Sequence, residues 1–596
     1  MRVLLVSLFV VGTCWAGPIV DTNYGKVEGF EYEDSEVFLA IPFAKPPVDD
    51  LRFEVIFDFS AAKVIFLTIK NVHFSLQKPV APEPWEDVYQ ATQFRNDCTP
   101  HYRLVAQFSS FSGEDCLTLN VIKPKKTEKK LPILFWVHGG GYEIGSGSQH
   151  GYEFFAKRYT TQGVIVVTIQ YRLGFMGFFS EGTPDAQGNY GLFDQAAALK
   201  FVKENIENFG GDPEDITIWG YSAGAASVSQ LTISPYTRDL YSKAIIMSAS
   251  SFVGWATGPN VVDTSKQLAE ILGCPWPGAK ECMKKKTLHE IFDAVEQQGW
   301  TTGTIDILRW SPVIDGDYLP TNPEELINEA PVKPTLMGMS NKEGSYFAVE
   351  FIMVIPATMN MGRVIADFGL SPEELPKVDK DFISEIIGRK LLYNDRYGAN
   401  RGKVWRELLD YYTEQGKPKN EKDLNGFYVD RYAELLSDIT FNIPILREIT
   451  ARVERKTPVW AYRFDHYNEQ IWKKHIPKQA KGSPHANEYH YLFNMPVMAQ
   501  IDFKKEPESW LQNELIDMVI SFTKTGVPKV QDIEWRPVSD PDDVNFLNFE
   551  SSGVSIKHGL FQEPLDFWNE VREREGFDLI DPANSIAPAK GDKDEL

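Results

Sequence analysis

Cysteine is scarce in this chain, with five in 596 residues. Cys14 falls within the first 16 residues, which leaves Cys98, Cys116, Cys274 and Cys282. So few cysteines exclude a small scaffold held together by disulfides. No cysteine or histidine cluster has metal-ligand spacing, and no metal or other cofactor is expected. The Asn-x-Ser/Thr sequon is absent, so ordinary N-glycosylation is not expected. Positive charge is in deficit: 61 Lys and Arg against 83 Asp and Glu give a net charge of −22. That balance disfavours nucleic acid and anionic membranes as partners. After the first 16 residues no apolar run reaches the ~20 residues of a membrane span, so no transmembrane anchor is expected. No Pro/Ser-rich linker, repeat or low-complexity block divides the chain. Residues 17–590 therefore read as one large domain with insertions.

The two ends carry addresses. Residues 1–16 read as a secretory signal peptide: Arg2 is the positive start, Val3 to Val11 the apolar run, and Cys14-Trp15-Ala16 the small-residue exit. A mature chain would begin near Gly17. Lys593-Asp594-Glu595-Leu596 reads as the ER-retention signal, with the retrieval receptor as its partner. Together they place the protein in the endoplasmic reticulum lumen. That compartment is oxidising enough for disulfides. Four cysteines allow three pairings, and sequence proximity favours Cys98 with Cys116 and Cys274 with Cys282. Four buried thiols are the other reading.

Short apolar runs alternate with helical stretches in the first half. Ile133 to Val137, Val164 to Ile169 and Ile216 to Trp219 read as strands, and Asp194 to Asn205 has helical spacing. Such alternation implies an α/β fold with a doubly wound, mostly parallel central sheet flanked by helices. Ligands bind at the carboxyl ends of such strands. The second half is rich in helical patterns whose order periodicity does not supply.

Two glycine-rich motifs sit at predicted strand ends. Gly220-Tyr221-Ser222-Ala223-Gly224 fits the G-x-S-x-G turn, which presents a nucleophilic serine between a strand and a helix. His138-Gly139-Gly140-Gly141-Tyr142 fits the loop that aims backbone N–H groups at a developing oxyanion. Gly140, Gly141 and Ala223 are the candidate donors, and His138 reads as a structural loop residue. In the chain order of this chemistry an acid and then a histidine follow the serine. The histidines after Ser222 are His289, His466, His475, His485, His490 and His558. His485 lies in a turn-rich loop suited to presenting a base, with His490 close by. Glu343 follows the apolar Pro334 to Met339 stretch, but composition does not choose it over Asp438.

These motifs, with Phe38 to Pro47, Glu114 to Asn120, Asn189 to Asn205 and Asn208 to Pro213, resemble the type-B carboxylesterase and cholinesterase family across nearly the whole mature chain. The resemblance implies an α/β-hydrolase fold and a serine carboxylesterase acting on small-molecule esters. It also implies Ser222 as nucleophile, Glu343 in NKEGSYF as acid and His485 in HANEYHYLF as base. The local disulfide pairing follows from it too, as do ion pairs Arg52 with Glu114 and Arg172 with Asp194. The chain departs from the family at Tyr221, where glutamate is usual, and at Ala225, where glycine is usual. The loop between Cys98 and Cys116 has no tryptophan, so a choline site built on cation–π attraction is not expected. Because Tyr221 is neutral, the push toward the imidazolium that a carboxylate at position 221 would give His485 is expected to be missing. A catalytically silent, cholinesterase-like binding protein of the lumen is the other reading.

Val55 to Gln77 interrupts the family pattern. The segment is rich in Phe, Ile, Lys and Asn, begins with a residue whose codons start GT and ends with one that CAG encodes. It reads as an intron translated in frame, the other reading being a genuine surface insertion such as a lid strand. It is expected to be a poorly packed excursion outside the sheet that touches no triad residue. Its apolar Val64 to Ile69 run would be an aggregation hazard if exposed. Sequencing the transcript across Glu54 and Lys78 separates the two.

Overall fold

The computed structural model describes residues 17–55, 81–103, 106, 112–126, 128–299, 307–349, 368–393 and 395–580. The segment read as an insertion lies, after Val55, outside them, as do the two terminal addresses. A central sheet of eleven strands organises the described residues. In chain order they are β1 (Phe30–Tyr32), β2 (Ser35–Pro42), β3 (Thr118–Pro124), β4 (Leu131–Val137) and β5 (Ile165–Ile169). There follow β6 (Gly211–Tyr221), β7 (Lys243–Met247), β8 (Thr335–Ser340), β9 (Val459–Phe464), β10 (Phe546–Glu550) and β11 (Gly553–Lys557). Their order across the sheet is β11-β10-β9-β8-β7-β6-β4-β5-β3-β2-β1. The block from β10 to β5 is parallel, and antiparallel strands close both edges.

The parallel strands are apolar because both sheet faces are covered. All five residues of β5 are buried. Alternate side chains feed two separate cores. On one face Ile133, Phe135 and Ile218 meet Ala196 and Leu199 of α1 (Tyr190–Asn205) and Ala226 of α2 (Ala223–Ile233). On the other, Trp136 and Trp219 meet Phe493, and Leu511 and Leu515 of α5 (Glu508–Thr525) join them. The predicted elements stand with shifted ends. The helix starts at Tyr190 rather than Asp194, and the Ile216 strand extends through a bulge back to Gly211.

Both local disulfides are present, Cys98–Cys116 and Cys274–Cys282, with Cα atoms 4.9 and 5.6 Å apart. Arg52 joins them. Its guanidinium holds Glu114 at 2.5 and 2.6 Å and donates to the carbonyl of Lys286 at 2.6 Å. Arg172 grips both oxygens of Asp194 at 2.7 Å, tying the end of β5 to α1. No described helix is long and apolar enough to cross a membrane.

Candidate active site

Strand order creates the site. The chain leaves β4 for β5 on one side and later returns to β6 on the other, so a crevice opens between the carboxyl ends of β4 and β6. Gly220 pairs with Val137 across these strands. The two glycine motifs, far apart in sequence, therefore meet at their strand ends. A Cβ on Gly224 would lie 2.2 Å from the Val137 carbonyl oxygen, and one on Gly220 would lie 2.1 Å from that of Gly224. Only hydrogen at those positions lets helix α2 start against the neighbouring strand. Ser222, between them, is left at φ 56° and ψ −130°. A non-glycine residue there stores about 1–3 kcal/mol of backbone strain, which the surrounding structure must hold. The Ser222 N–H donates to the Met247 carbonyl at 3.0 Å, and its own carbonyl accepts from Ala225 and Ala226.

Glu343 stands three residues beyond β8 and is fully buried. One carboxylate oxygen accepts the Ser340 N–H at 2.7 Å, and the other faces His485 Nδ1 at 2.7 Å. His485 Nε2 lies 2.8 Å from Ser222 Oγ. With Nδ1 donating to the carboxylate, Nε2 is the unprotonated nitrogen and accepts from the serine hydroxyl. The acid loop is anchored where Gly344 donates its N–H to Ser437 Oγ at the end of α3 (Leu424–Ser437). The rival residues are engaged elsewhere. His490 bonds the Met495 carbonyl through Nδ1, and burial pushes its pKa down to about 4. Asp438 accepts from Tyr412 and Asn442, and burial raises it to about 7. His138 is buried and stacks on Tyr171.

Above Ser222 lies a cavity of about 460 Å³. Gly140, at φ 114°, and Gly141 form one lip, and a Cβ on Gly140 would meet the Ile144 carbonyl oxygen at 2.2 Å. The loop's own turn is made by the N–H groups of Glu143 and Ile144, which both donate to the Gly140 carbonyl. Ala223 contributes the first N–H of α2, a position without an intrahelical acceptor. Trp255, Ile307, Leu308, Phe347 and Phe441 make an apolar wall. Asp97, Tyr102 and Glu143 line it with polar groups, and no lysine or arginine is among the described lining residues. Burial raises Glu143 to about 8, and Tyr102 donates to it at 2.5 Å. Among the described residues no cluster could hold a metal ion.

Tyr221 is neutral, as its residue type dictates, and behind it stands a carboxyl that the motifs do not single out. Glu488, on α4 (Asn487–Phe493), is fully buried and accepts the Tyr221 hydroxyl at 2.8 Å. Tyr221 is thus a neutral side chain bonded to a carboxyl. An acidic residue amid the aromatic run that follows His485 was the available signal.

The family profile described as "Carboxylesterase family" matches residues 16–55 and 73–568, leaving a gap inside the Val55–Gln77 segment. The chain is 83% identical to Gut esterase 1 of Caenorhabditis briggsae over 596 residues, covering all of both chains. It is 78% identical to Gut esterase 1 of Caenorhabditis elegans, again over all of both. A solved structure of PNB esterase superposes with a TM-score of 0.70 at 27% identity, covering 92% of this chain and 99% of that one.

Proposed function

The chain belongs to the carboxylesterase family and is a carboxylic ester hydrolase, and from that premise we propose that Ser222, His485 and Glu343 carry the reaction through an acyl-enzyme. One observation supports the assignment above the rest: an unbroken hydrogen-bonded line from Ser222 Oγ through both imidazole nitrogens to a buried carboxylate. His485 Nε2 takes the hydroxyl proton as Oγ attacks the ester carbonyl carbon. The carbonyl π electrons move onto oxygen, and the N–H groups of Gly140, Gly141 and Ala223 receive the oxyanion. Each such donor is worth about 3 kcal/mol in the transition state. The imidazolium, oriented and stabilised by Glu343, then gives its proton to the departing alcohol. Water attacks the acyl-serine with the same base, releasing the carboxylic acid and restoring Ser222.

The apolar wall suits the carbon chain or ring of an uncharged ester. The described lining residues offer no lysine or arginine to pair with a second anionic group, which disfavours esters that carry one. The two terminal addresses support a further proposal, that the enzyme works in the lumen of the endoplasmic reticulum and is returned there through its C-terminal Lys-Asp-Glu-Leu.

A fluorophosphonate probe tests the assignment. One phosphonyl group per chain is expected on the wild type, located at Ser222 by peptide mass, and none on Ser222→Ala. Equal labelling of Ser222→Ala, or an unlabelled wild type as a silent binding protein would be, overturns it.

A further inference from the structure

Tyr221 stands next to the nucleophile, yet its side chain serves the other end of the site. Its ring is buried, 5.4 Å from the His485 imidazole and 5.0 Å from Tyr489. Its hydroxyl accepts the N–H of Ala486 at 2.8 Å and donates to Glu488 Oε2 at 2.8 Å. One side chain thus joins the residue before the nucleophile to the residue after the base. Ala486 has a φ of 68°, one that alanine rarely adopts, and this bond helps hold it there. An N–H pinned at that residue fixes the backbone that carries the imidazole.

Glu488 supports the hydroxyl from behind. Ser340 Oγ donates to the same carboxyl oxygen at 2.8 Å, and the Tyr462 hydroxyl reaches the other at 3.4 Å. The Ser340 N–H meanwhile donates to Glu343. Ser340, at the end of β8, therefore connects both buried carboxyls.

We propose that Tyr221 and Glu488 form a clamp that positions His485, a hydroxyl and carboxyl pair standing where the family resemblance leads one to expect a glutamate beside the nucleophile. The proposal rests on the reading of His485 as the base. Tyr221 and Glu488 are positioning residues, since neither touches the reacting atoms. The groups facing the Glu488 carboxyl are Glu343, Tyr221, Tyr462 and Ser340, with no cation among them. Burial first and the Glu343 charge second raise Glu488 to about 7. The ionised carboxyl is the stronger acceptor for the tyrosine hydroxyl. The clamp therefore tightens as pH rises through that value.

Steady-state kinetics on a neutral aryl ester test the clamp, using the full chain and Tyr221→Phe, Glu488→Gln, the double variant and Tyr462→Phe. Tyr221→Phe keeps the ring and loses only the bridge. We expect its kcat to fall about tenfold to a hundredfold with KM within about twofold, as a small displacement of a catalytic group produces. The double variant should be no worse than the poorer single one, because the pair acts as a unit. Glu488→Gln should lose part of the rise of kcat between about pH 6 and 8. Tyr462→Phe touches the same carboxyl but not Ala486, and should stay within about twofold of wild type. A Tyr221→Phe enzyme with wild-type kcat and pH profile overturns the clamp, as does a Tyr462→Phe enzyme equally impaired. If Tyr221→Phe does not fold, the Glu488→Gln pH profile decides alone, and an unchanged profile overturns the clamp. His485→Ala separates the two levels: full activity in that variant removes the base assignment itself, whereas its inactivity beside an unaffected Tyr221→Phe removes only the clamp.

Discussion

At the scale of single residues, the carboxylate on His485 Nδ1 sets which nitrogen faces Ser222. Glu343 is fully buried and its second oxygen is occupied by the Ser340 N–H, so the side chain has one orientation. Glu343→Gln would keep the shape and remove the charge. An amide N–H pointed at Nδ1 favours the tautomer protonated on Nε2, which does not accept the serine proton. The expected loss in kcat is about 10³- to 10⁴-fold with little change in KM. A loss smaller than about tenfold, measured with the same ester, would mean that Glu343 does not govern the tautomer. Ser222 illustrates a different economy. Its φ of 56° is unfavourable by itself, and it persists because Gly220 and Gly224 allow backbone to pack where any side chain would collide.

At the scale of elements, β5 and α1 are held together by one ion pair that water barely reaches. The side chains of Arg172 and Asp194 are 3% and 0% exposed, and the carboxylate also takes the Arg172 backbone N–H at 3.0 Å. Desolvation makes such a pair poor evidence of net stabilisation, but removing one member leaves a buried charge unmatched. Arg172→Met is therefore expected to cost about 3–5 kcal/mol in urea unfolding, and Arg172→Met with Asp194→Leu to recover most of it. A single substitution costing under about 1 kcal/mol would show that water reaches Asp194 in the folded state. The Arg52 and Glu114 pair works differently. Arg52 holds Glu114, close to Cys116, and the Lys286 carbonyl beyond Cys282, so it ties the surroundings of one disulfide, whose Cys98 lines the cavity, to those of the other.

For the whole molecule, one sheet brings four distant segments to one edge. The proposed nucleophile follows β6, the proposed oxyanion loop β4, the proposed acid β8, and the proposed base lies in the long connection after β9. The proposed retrieval to the endoplasmic reticulum lumen concerns where that assembly works rather than how. Expressed in secretory cells, the full chain is expected to stay inside, and a chain ending at Asp592 to appear in the medium as active esterase. Retention of the truncated form, or secretion of the full one, would count against luminal retrieval.

Much of this was legible before any coordinates. Ser222, the three glycines after His138 and the parallel sheet are each specified by a few neighbouring residues, because tight turns and fully buried strands demand particular side chains locally. The acid and base were less so: composition left Glu343 beside Asp438 and His485 beside His490, and only likeness to a family chose between them. In the tertiary structure Asp438 is buried against Tyr412 and His490 turns toward Met495, which supports the proposed pair. The partner of Glu488 was legible only there. The meaning of Glu488 comes from Tyr221, 267 residues away, and from the strand end that carries Ser340. A hydrogen bond across that separation depends on the order of the strands, which no local pattern records.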